Sequence, residues 1–393
     1  MRSKSSRSQL FVTLGYLVAF SPLITDTYLP CLPAMVTYFK TVPSMIQMSL
    51  MSSMVGLALG QILVGSLSDK YGRRKPLLIS IVLFLISTVG CIFSWNVESF
   101  IILRLIQGMA AAGGVVISRA VSVDLFRGKT LAKVLGMIAA IMGIAPIAAP
   151  LLGGILQNFS DWRGIFIFLF IMGLVLFFLC YKLEESHPFK RRHKASVFSL
   201  LLLYKPALAN KCFMLYVLSV SASMGVMFAY ISSSPFILQQ EYHISPFLYS
   251  ICFALNAVGI FIGSFLATNH IFKKTEHAAL TGVIGLFVVS VLVSIILVSH
   301  AGFLPLEVAL FLLLCCCGLC FPSISTLALD LARKNSGTAA AILGSLNFMA
   351  GGVVSPLVGI GDIAKSSAIA MSVLSFCALA LLLVTRIKPV RLA

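Results

Sequence analysis

Three charged side chains occur in stretches of the sequence that are otherwise uncharged and apolar. Asp26 is the one charged residue between Leu10 and Phe39, and Arg104 and Arg119 lie 15 residues apart in a later apolar run. Insertion scales place an aspartate at the centre of a membrane helix at about +2.5–3.5 kcal/mol, so an acid retained there is a candidate functional group. We interpret Asp26 either as a group that takes up and releases a proton or as a counter-charge for an arginine.

The composition shows which elements must position these side chains. Hydrophobic residues make up 59% of the 393 residues and charged residues only 10%, with a mean hydropathy of +1.04. Soluble domains carry about 25% charged residues, so the chain is predicted to be an all-α membrane protein. Uncharged apolar runs of about 20 residues predict twelve transmembrane helices, near 10–38, 44–67, 76–95, 99–122, 131–156, 164–183, 212–239, 247–268, 278–299, 303–329, 338–360 and 366–385.

The net charge of +17 is explained by the distribution of basic residues. Of the 29 lysines and arginines, 24 fall in the termini and alternate loops on one side of the predicted spans, three on the other side and two within spans. This asymmetry follows the positive-inside rule and places both termini in the cytoplasm. The predicted partner of the basic side is therefore the lipid bilayer, and nucleic-acid binding is not expected. Short loops favour a bacterial inner membrane.

No cofactor, metal or enzyme motif is found in the sequence. The cysteine-rich segment CCCGLC (315–320) has no histidine or acid within a few residues, so it is interpreted as part of a helix packed with small residues rather than as a metal site. HExxH, GxSxG and P-loop patterns are absent from the sequence. We therefore expect a protein that is not an enzyme and needs no cofactor.

An internal repeat predicts the architecture. DLFR (124–127) and DLAR (330–333) are each followed, 26 residues after the aspartate, by PLLG (150–153) and PLVG (356–359). One offset of 206 residues aligns both pairs, which equates the fourth and fifth spans with the tenth and eleventh. Two six-helix halves in parallel orientation form a known transporter architecture, with the substrate site near the midplane between the halves. The predicted domains are residues 1–183, a basic cytoplasmic linker at 184–211, and residues 212–393.

Several motifs resemble those of the major facilitator superfamily. GSLSDKYGRRKPLL (65–78) is similar to the family's loop motif between helices 2 and 3, RLIQGMAAAGG (104–114) to its fourth-helix motif, and GIAPIAAPLLGGIL (143–156) to its fifth-helix antiporter motif. TDTYLPCLP (25–33) and DWRGIFIF (161–168) add to the likeness. Together they resemble the bicyclomycin/chloramphenicol-resistance (Bcr/CflA-type) subfamily of drug:proton antiporters.

The resemblance implies a conformational latch in the loop motif, formed by Gly65, Asp69, Gly72, Arg73 and Asp124. Asp69 is expected to meet the N-terminus of the eleventh helix near 335–338, where the helix dipole favours an acid by about 0.3–1 kcal/mol. Asp124 is expected to pair with Arg73. The alternative is that the basic residues of this loop only fix the topology. Val123 stands where the subfamily often has an arginine, so a mechanism that needs that arginine is not expected here.

The fifth predicted helix contains Gly143, Pro146, Pro150, Gly153 and Gly154. Proline removes a backbone hydrogen bond and kinks a helix, while glycine allows neighbouring backbones to approach closely. A kinked and closely packed helix is suited to rocking against a partner across the interface between the halves. Ordinary packing is the alternative, since both residue types are common in membrane helices.

Arg104 and Arg119 share one broad face of the fourth helix, because 15 residues separate them by about 60° around the axis and about 22 Å along it. At the 206-residue offset, the second half has Leu310 and Ser325, so the fold does not require these arginines. The resemblance gives Arg104 a role in proton coupling. Arg119 is expected either to pair with Asp26, to attract an anionic group, or to reach the membrane surface.

Polar and aromatic residues of several spans are candidates for the substrate cavity. Large apolar walls with few polar groups suit a site that tolerates many drugs, although each residue taken singly is equally explained by helix packing. The candidates are Tyr28, Phe228, Tyr230, Phe236, Asn256 and Asn347.

The leading hypothesis is efflux of amphipathic small molecules by a monomer that exchanges them for protons through alternating access. The proton gradient would be the energy source, and Asp26, Arg104 and Arg119 would form the proton-coupling and substrate site. A proton-coupled transporter of a specific metabolite, such as a sugar or amino-acid derivative, is the alternative, and a non-transporting membrane receptor is a remote one. The antiporter-like fifth-helix motif favours export.

Overall fold

The computed structural model describes residues 7–188, 205–269, 271–332 and 336–387, and the described chain is almost entirely helical. The helices are α1 (Arg7–Asp26), α2 (Leu32–Phe39), α3 (Pro43–Tyr71), α4 (Arg74–Ile92), α5 (Val97–Leu125), α6 (Gly128–Gln157), α7 (Trp162–Tyr181), α8 (Lys205–Ala209), α9 (Lys211–Phe236), α10 (Pro246–Thr268), α11 (Thr275–Ser299), α12 (Phe303–Asp330), α13 (Ser336–Leu357) and α14 (Ile363–Ile387).

Eleven stretches of the described chain are long and apolar enough to cross a membrane, and they correspond to eleven of the twelve predicted spans. The remaining predicted span, 338–360, corresponds to α13, whose apolar stretch over the described residues is the shorter Ile342–Leu357. Most of the predicted linker, 184–211, lies outside the described residues, and the domain boundaries stay a prediction.

The first predicted span is interrupted shortly after Asp26. Helix α1 ends at Asp26, a single 3₁₀ turn covers Leu29–Cys31, and α2 starts at Leu32. Pro30 opens the 3₁₀ turn, where the missing N–H of proline costs nothing. This interruption places the acid at a helix end.

Packing divides the helices into two compact units. The first unit contains α1, α2, most of α3 and α4 to α7, and the second contains α8 to α14 together with residues 42–51 at the start of α3. In the second unit the Gln47 amide donates a hydrogen bond to the Ser232 carbonyl at 2.8 Å. One helix thus contributes to both cores.

Each unit contains helices whose backbones touch. A Cβ added at Gly108 of α5 would collide with the Ser53 carbonyl of α3, and a Cβ at Gly318 of α12 would collide with the Ile260 carbonyl of α10. Membrane helices pack through such small residues because lipid supplies no hydrophobic drive to hold helices together. The same type of contact therefore occurs in both units.

Candidate functional site

Arg104 is a fully buried arginine held by neutral groups of the first unit. Its Nη1 donates to the Gln107 side-chain oxygen at 2.5 Å, and Gln107 in turn donates to the Thr88 hydroxyl at 2.7 Å. The guanidinium carbon lies 4.3 Å from the centroid of the Tyr28 ring. A desolvated guanidinium over an aromatic face gains about 2 kcal/mol from that contact. These contacts fix the orientation of Arg104 without neutralising its charge.

The end of α1 supplies the remaining contact of this arginine. Nη2 of Arg104 donates to the Ile24 carbonyl at 3.3 Å. Because Ile24 belongs to the last turn of α1, its carbonyl lies at the negative end of the helix dipole, which favours a cation. The end of α1 and the segment after it therefore supply two contacts of Arg104, the Ile24 carbonyl and the Tyr28 ring.

Asp26 lies close to this arginine but is not joined to it. The carboxylate is buried, with 9% of the residue exposed, and the charge of Arg104 acts on it. Within the described part of the chain, no basic nitrogen lies within 4.0 Å of the Asp26 carboxylate, and Nε of Arg104 is buried without an acceptor. The two side chains form no ion pair in this structure, and the association of Asp26 with an arginine stays a prediction.

Arg119 lies apart from this site. It is exposed, and its Nη2 contacts the Met142 sulfur of α6 at 3.2 Å. Over the described residues, no carboxylate lies within 4.0 Å of its guanidinium, so the expected pairing of Arg119 with Asp26 does not occur in this structure. The end of α1 contacts Arg104 through the Ile24 carbonyl, whereas Arg119 contacts α6.

Helix α6, which carries the antiporter-like motif, contacts the α1 interruption directly. Gly153 lies against the Thr27 carbonyl so closely that a Cβ could not be accommodated, and Pro30 is 3.4 Å from the same Cβ position. Gly143 has no atom within 4 Å of its Cβ position. Gly154 is buried, and α6 runs without a break through Pro146 and Pro150. Close packing is therefore confirmed at Gly153 and absent at Gly143, and the proposed rocking motion stays a prediction.

The loop between α3 and α4 holds an ionic cluster, which we call the α3–α4 charge cluster (Asp69, Arg73, Asp124). Arg73 donates to Asp69 at 2.6 Å and to Asp124 at 3.0 Å, so the predicted pairing with Asp124 is present. Burial lowers the pKa of Arg73, but the hydrogen bonds and charges of Asp69 and Asp124 outweigh burial and leave it above its ordinary value. Gly72 adopts a φ of +92°, which L-residues rarely adopt, so the turn requires glycine.

Glu185 is a member of this region that the sequence did not reveal. Its carboxylate accepts from the backbone N–H of Arg73 at 2.8 Å and of Arg74 at 3.2 Å, at the start of α4. An acid at a helix N-terminus satisfies donors that have no intrahelical acceptor. The partner is 112 residues away in sequence, so no local pattern indicates the contact.

The proposed partner of Asp69 lies at the edge of the described chain. Residues 333–335 are outside the described residues, as are the side chains of 336–338. The expected contact between Asp69 and the eleventh helix therefore stays a prediction. Gly65 makes only an ordinary contact, since its Cβ position is 3.5 Å from Val116.

The cavity candidates of the second unit form separate groups rather than one wall. Asn347 accepts from the Ser221 hydroxyl at 2.9 Å, and Phe228 packs against Gly351. Phe236 is fully buried. All three are packed helix residues, as the alternative interpretation held. Tyr28 of the first unit is likewise buried, beneath Arg104.

Tyr230 and Asn256 belong to a third group, which includes an acid that the predictions missed. Asn256 donates to both the Tyr230 hydroxyl and the Glu307 carboxylate at 3.0 Å. Glu307 lies within the α12 span, where the following charged residue is Asp330. The signal that identified Asp26, a lone acid in an apolar run, was therefore present here as well. Among the described residues, no group of three or more metal-binding side chains occurs.

Comparison with known proteins places these features in a family context. The sequence profile of the Major Facilitator Superfamily matches residues 14–356. The uncharacterized MFS-type transporter YdgK of Bacillus subtilis (strain 168) is 34% identical over 375 residues, which cover 94% of this chain and 92% of that protein. A bicyclomycin resistance protein homolog of Haemophilus influenzae is 26% identical over 366 residues, or 91% of this chain and 90% of its own.

A solved structure shares the fold. The xylose transporter XylE from E. coli, in a partially occluded inward open conformation, superposes with a TM-score of 0.73 at 16% identity and covers 95% of this chain and 96% of its own. At this identity the likeness concerns the fold alone. It confirms the predicted fold class, an all-α membrane protein with twelve transmembrane helices in two repeated halves.

Proposed function

Because the chain belongs to the Major Facilitator Superfamily and is a multi-pass membrane transporter, we propose that it exports amphipathic, drug-like small molecules in exchange for protons. The similarity to a bicyclomycin resistance protein homolog supports a drug as the substrate. The antiporter-like motif on α6 supports export rather than uptake. Antibiotic resistance would follow from such multidrug efflux.

The observation that carries the proposal is the geometry of Asp26 and Arg104. Asp26 is buried, and in the described structure it has no basic group within 4.0 Å. A buried carboxylate without an ion pair is costly unless it takes up a proton. Arg104 retains a buried N–H without an acceptor, and its charge acts on Asp26. Protonation of Asp26 would therefore decide whether its carboxyl attracts the guanidinium.

Loss of that proton would change the contacts of Arg104. The bonds of Arg104 to Gln107 and to the Ile24 carbonyl each involve one charged group, whereas a bond to an ionised carboxylate would join two opposite charges in a buried site. An ionised Asp26 would therefore draw the guanidinium from its neutral acceptors, Gln107 and the Ile24 carbonyl. The Ile24 carbonyl belongs to the last turn of α1, and Gly153 of α6 packs on the carbonyl of Thr27, which directly follows α1. A change in the contact between Arg104 and Ile24 would therefore be passed to α6.

The remaining properties follow from this proposal. The proton gradient supplies the energy, so no cofactor is required. The arrangement of basic loops supports a bacterial inner membrane with both termini in the cytoplasm. We further propose that the partners are the lipid bilayer, protons and a drug-like molecule, that the transporter acts as a monomer, and that it does not bind nucleic acid.

The test is a drug-susceptibility panel in a host lacking its own efflux pumps. Asp26→Asn removes the titratable group with little change in size. Asp362→Asn is the matched control, because Asp362 is exposed and its carboxylate contacts Lys365 at the surface, through an ion pair at 3.3 Å and a hydrogen bond from the backbone N–H at 3.2 Å. We expect resistance with the wild type and the control, and none with Asp26→Asn at equal protein levels.

Direction is measured in proteoliposomes loaded with a pH-sensitive dye. Addition of a substrate should release protons from vesicles with an acidic interior, and Asp26→Asn should abolish the release. Full transport by Asp26→Asn would overturn the role of Asp26. Proton movement in the same direction as the substrate would overturn antiport and favour metabolite uptake.

A further inference from the structure

Glu307 is a carboxylate of the second unit for which the proposal above has no role. It is the fifth residue of α12, about 6 Å along the helix axis from Phe303, and only Asp330 at the far end carries another charge in that helix. Ionisable residues within membrane spans are rare and usually serve in transport or proton relay. Glu307 therefore calls for a functional explanation in the same way as Asp26.

Two neutral side chains connect Glu307 to the core of the second unit. Oε1 of Glu307 accepts from Nδ2 of Asn256 at 3.0 Å, and the same nitrogen donates to the Tyr230 hydroxyl at 3.0 Å. Asn256 and Tyr230 are both fully buried, and the Cys252 thiol lies beside the carboxylate. Within the described residues, no lysine, arginine or histidine nitrogen lies within 4.0 Å of Glu307. The acid is thus held by an amide and not by a cation.

Two atoms of this acid–amide pair are unsatisfied over the described chain. Oε2 of Glu307 and Oδ1 of Asn256 are both buried and have no hydrogen-bond partner. Both atoms are acceptors when the acid is ionised, so they cannot satisfy each other. A proton on Oε2 converts it into a donor, and a carboxylic acid and a primary amide then match each other with two hydrogen bonds. A single proton on Oε2 would therefore satisfy both atoms.

The space beside this pair is small. Tyr230 lines a cavity together with Leu306 and Leu310, which flank Glu307 on α12. The cavity volume is about 10 Å³, which is about the space one water molecule needs and far below the roughly 300–1,000 Å³ of sites for drug-sized molecules. The surroundings of Glu307 in this structure thus fit a proton and water better than a drug.

We propose that Glu307 is a second proton-binding group of the transporter, located in the second unit and stabilised in its protonated form by Asn256. In this arrangement each unit carries one acid that binds a transported proton, Asp26 in the first and Glu307 in the second. The coupling part of the inference rests on the proposed proton antiport, and a complete cycle then exchanges two protons. Proton binding by Glu307 itself does not depend on the substrate.

Infrared spectroscopy of the purified protein tests proton binding without any transport assay. A protonated carboxyl has a C=O stretch above the amide I band, which disappears when the acid ionises. We expect Glu307→Gln to remove one such band at neutral pH and Asn256→Ala to shift it, because the amide partner is lost. Glu98→Gln is the matched control, since Glu98 is exposed in the first turn of α5, and it should leave the band unchanged. An identical band in wild type and Glu307→Gln would overturn the proposal.

The proton-to-drug ratio in proteoliposomes tests the coupling. The ratio is obtained from the pH gradient that balances a known drug gradient. We expect two protons per drug in the wild type and one in Glu307→Gln, a twofold change, with Glu98→Gln at the wild-type value. An unchanged ratio in Glu307→Gln would overturn the coupling role of Glu307. Absence of proton-driven transport in the wild type would instead refute the proposed antiport, while the infrared band alone would decide whether Glu307 binds a proton.

Discussion

The Arg104 guanidinium lies 4.3 Å from the ring centroid of Tyr28, two residues beyond the aspartate that ends α1. The ring belongs to the segment that interrupts the first transmembrane span, and the arginine belongs to α5. The contact therefore ties the position of the interruption to the charge that acts on Asp26. Because both side chains are fully buried, water does not weaken this attraction.

Replacement of Tyr28 should distinguish the ring from its hydroxyl. Tyr28→Phe keeps the aromatic face and should retain most of the stability and transport. Tyr28→Leu removes the face and should lower the free energy of unfolding by about 2 kcal/mol more than Tyr28→Phe, the value expected for a desolvated cation–π contact. Denaturant unfolding in detergent measures this difference. Equal losses in the two variants would show that the ring face contributes nothing.

Gly153 and Gly143 offer a matched pair within one motif. Gly153→Ala places a methyl group against the Thr27 carbonyl, whereas Gly143→Ala places one in open space. We expect Gly153→Ala to reduce drug transport at least tenfold, since α6 must move away from the α1 interruption, and Gly143→Ala to retain transport. Uptake assays at equal expression measure both. Equal activity of the two variants would contradict a specific role for the Gly153 contact.

Arg73 forms two ion pairs, and we expect the longer one, with Asp124, to be the stronger. The Asp69 pair is shorter, at 2.6 Å against 3.0 Å for Asp124, but the Asp69 side chain is 45% exposed and that of Asp124 only 15%. Exposed pairs contribute about 0.2–1 kcal/mol, and buried charged hydrogen bonds about 1.5–3 kcal/mol. Double-mutant cycles with Arg73→Met, Asp69→Asn and Asp124→Asn should therefore give the larger coupling for Asp124. A larger coupling for Asp69 would show that distance outweighs burial here.

Asp362 should make stability depend on pH in the acidic range. Its carboxylate accepts from the Lys365 backbone N–H at 3.2 Å, and this bond, with the Lys365 charge, holds the pKa of Asp362 below its ordinary value. A carboxyl with a lowered pKa in the folded state stabilises the fold above its ordinary pKa of about 3.9, and this stability is lost as the pH falls below that value. Asp362→Ala should cost about 1 kcal/mol at neutral pH, the usual effect of removing a helix cap, and Asp362→Asn much less. Thermal unfolding between pH 3 and 7 measures both, and an effect of Asp362→Ala that is equally large at low pH would contradict the role of the charge.

The sequence was sufficient for features that depend on local pattern. Apolar runs predicted the helices, and the loop motif predicted the contact between Arg73 and Asp124. Each of these follows from residue type and spacing or from a family motif, because helix length is a property of neighbouring residues.

Contacts between distant segments could not be predicted in the same way. The Ile24 carbonyl that accepts from Arg104 and the carboxylate of Glu185 are brought into place by tertiary packing, and no period in the sequence encodes them. For Arg119 the sequence left three alternatives open, and the structure places its exposed guanidinium on the Met142 sulfur. Glu307 is different, because its lone charge in an apolar span was visible and was overlooked.

The position of Gln47 has a consequence for the order in which the protein is made. Residues 42–51 leave the ribosome long before Ser232, although both belong to the second unit. Domains usually fold as they are synthesised, with the N-terminal one first. The first unit can follow that order, but the start of α3 must remain without its final neighbours until the second unit has entered the membrane. During this interval the Gln47 amide lacks its Ser232 acceptor, so the packing of α3 is completed only after the second unit has been synthesised.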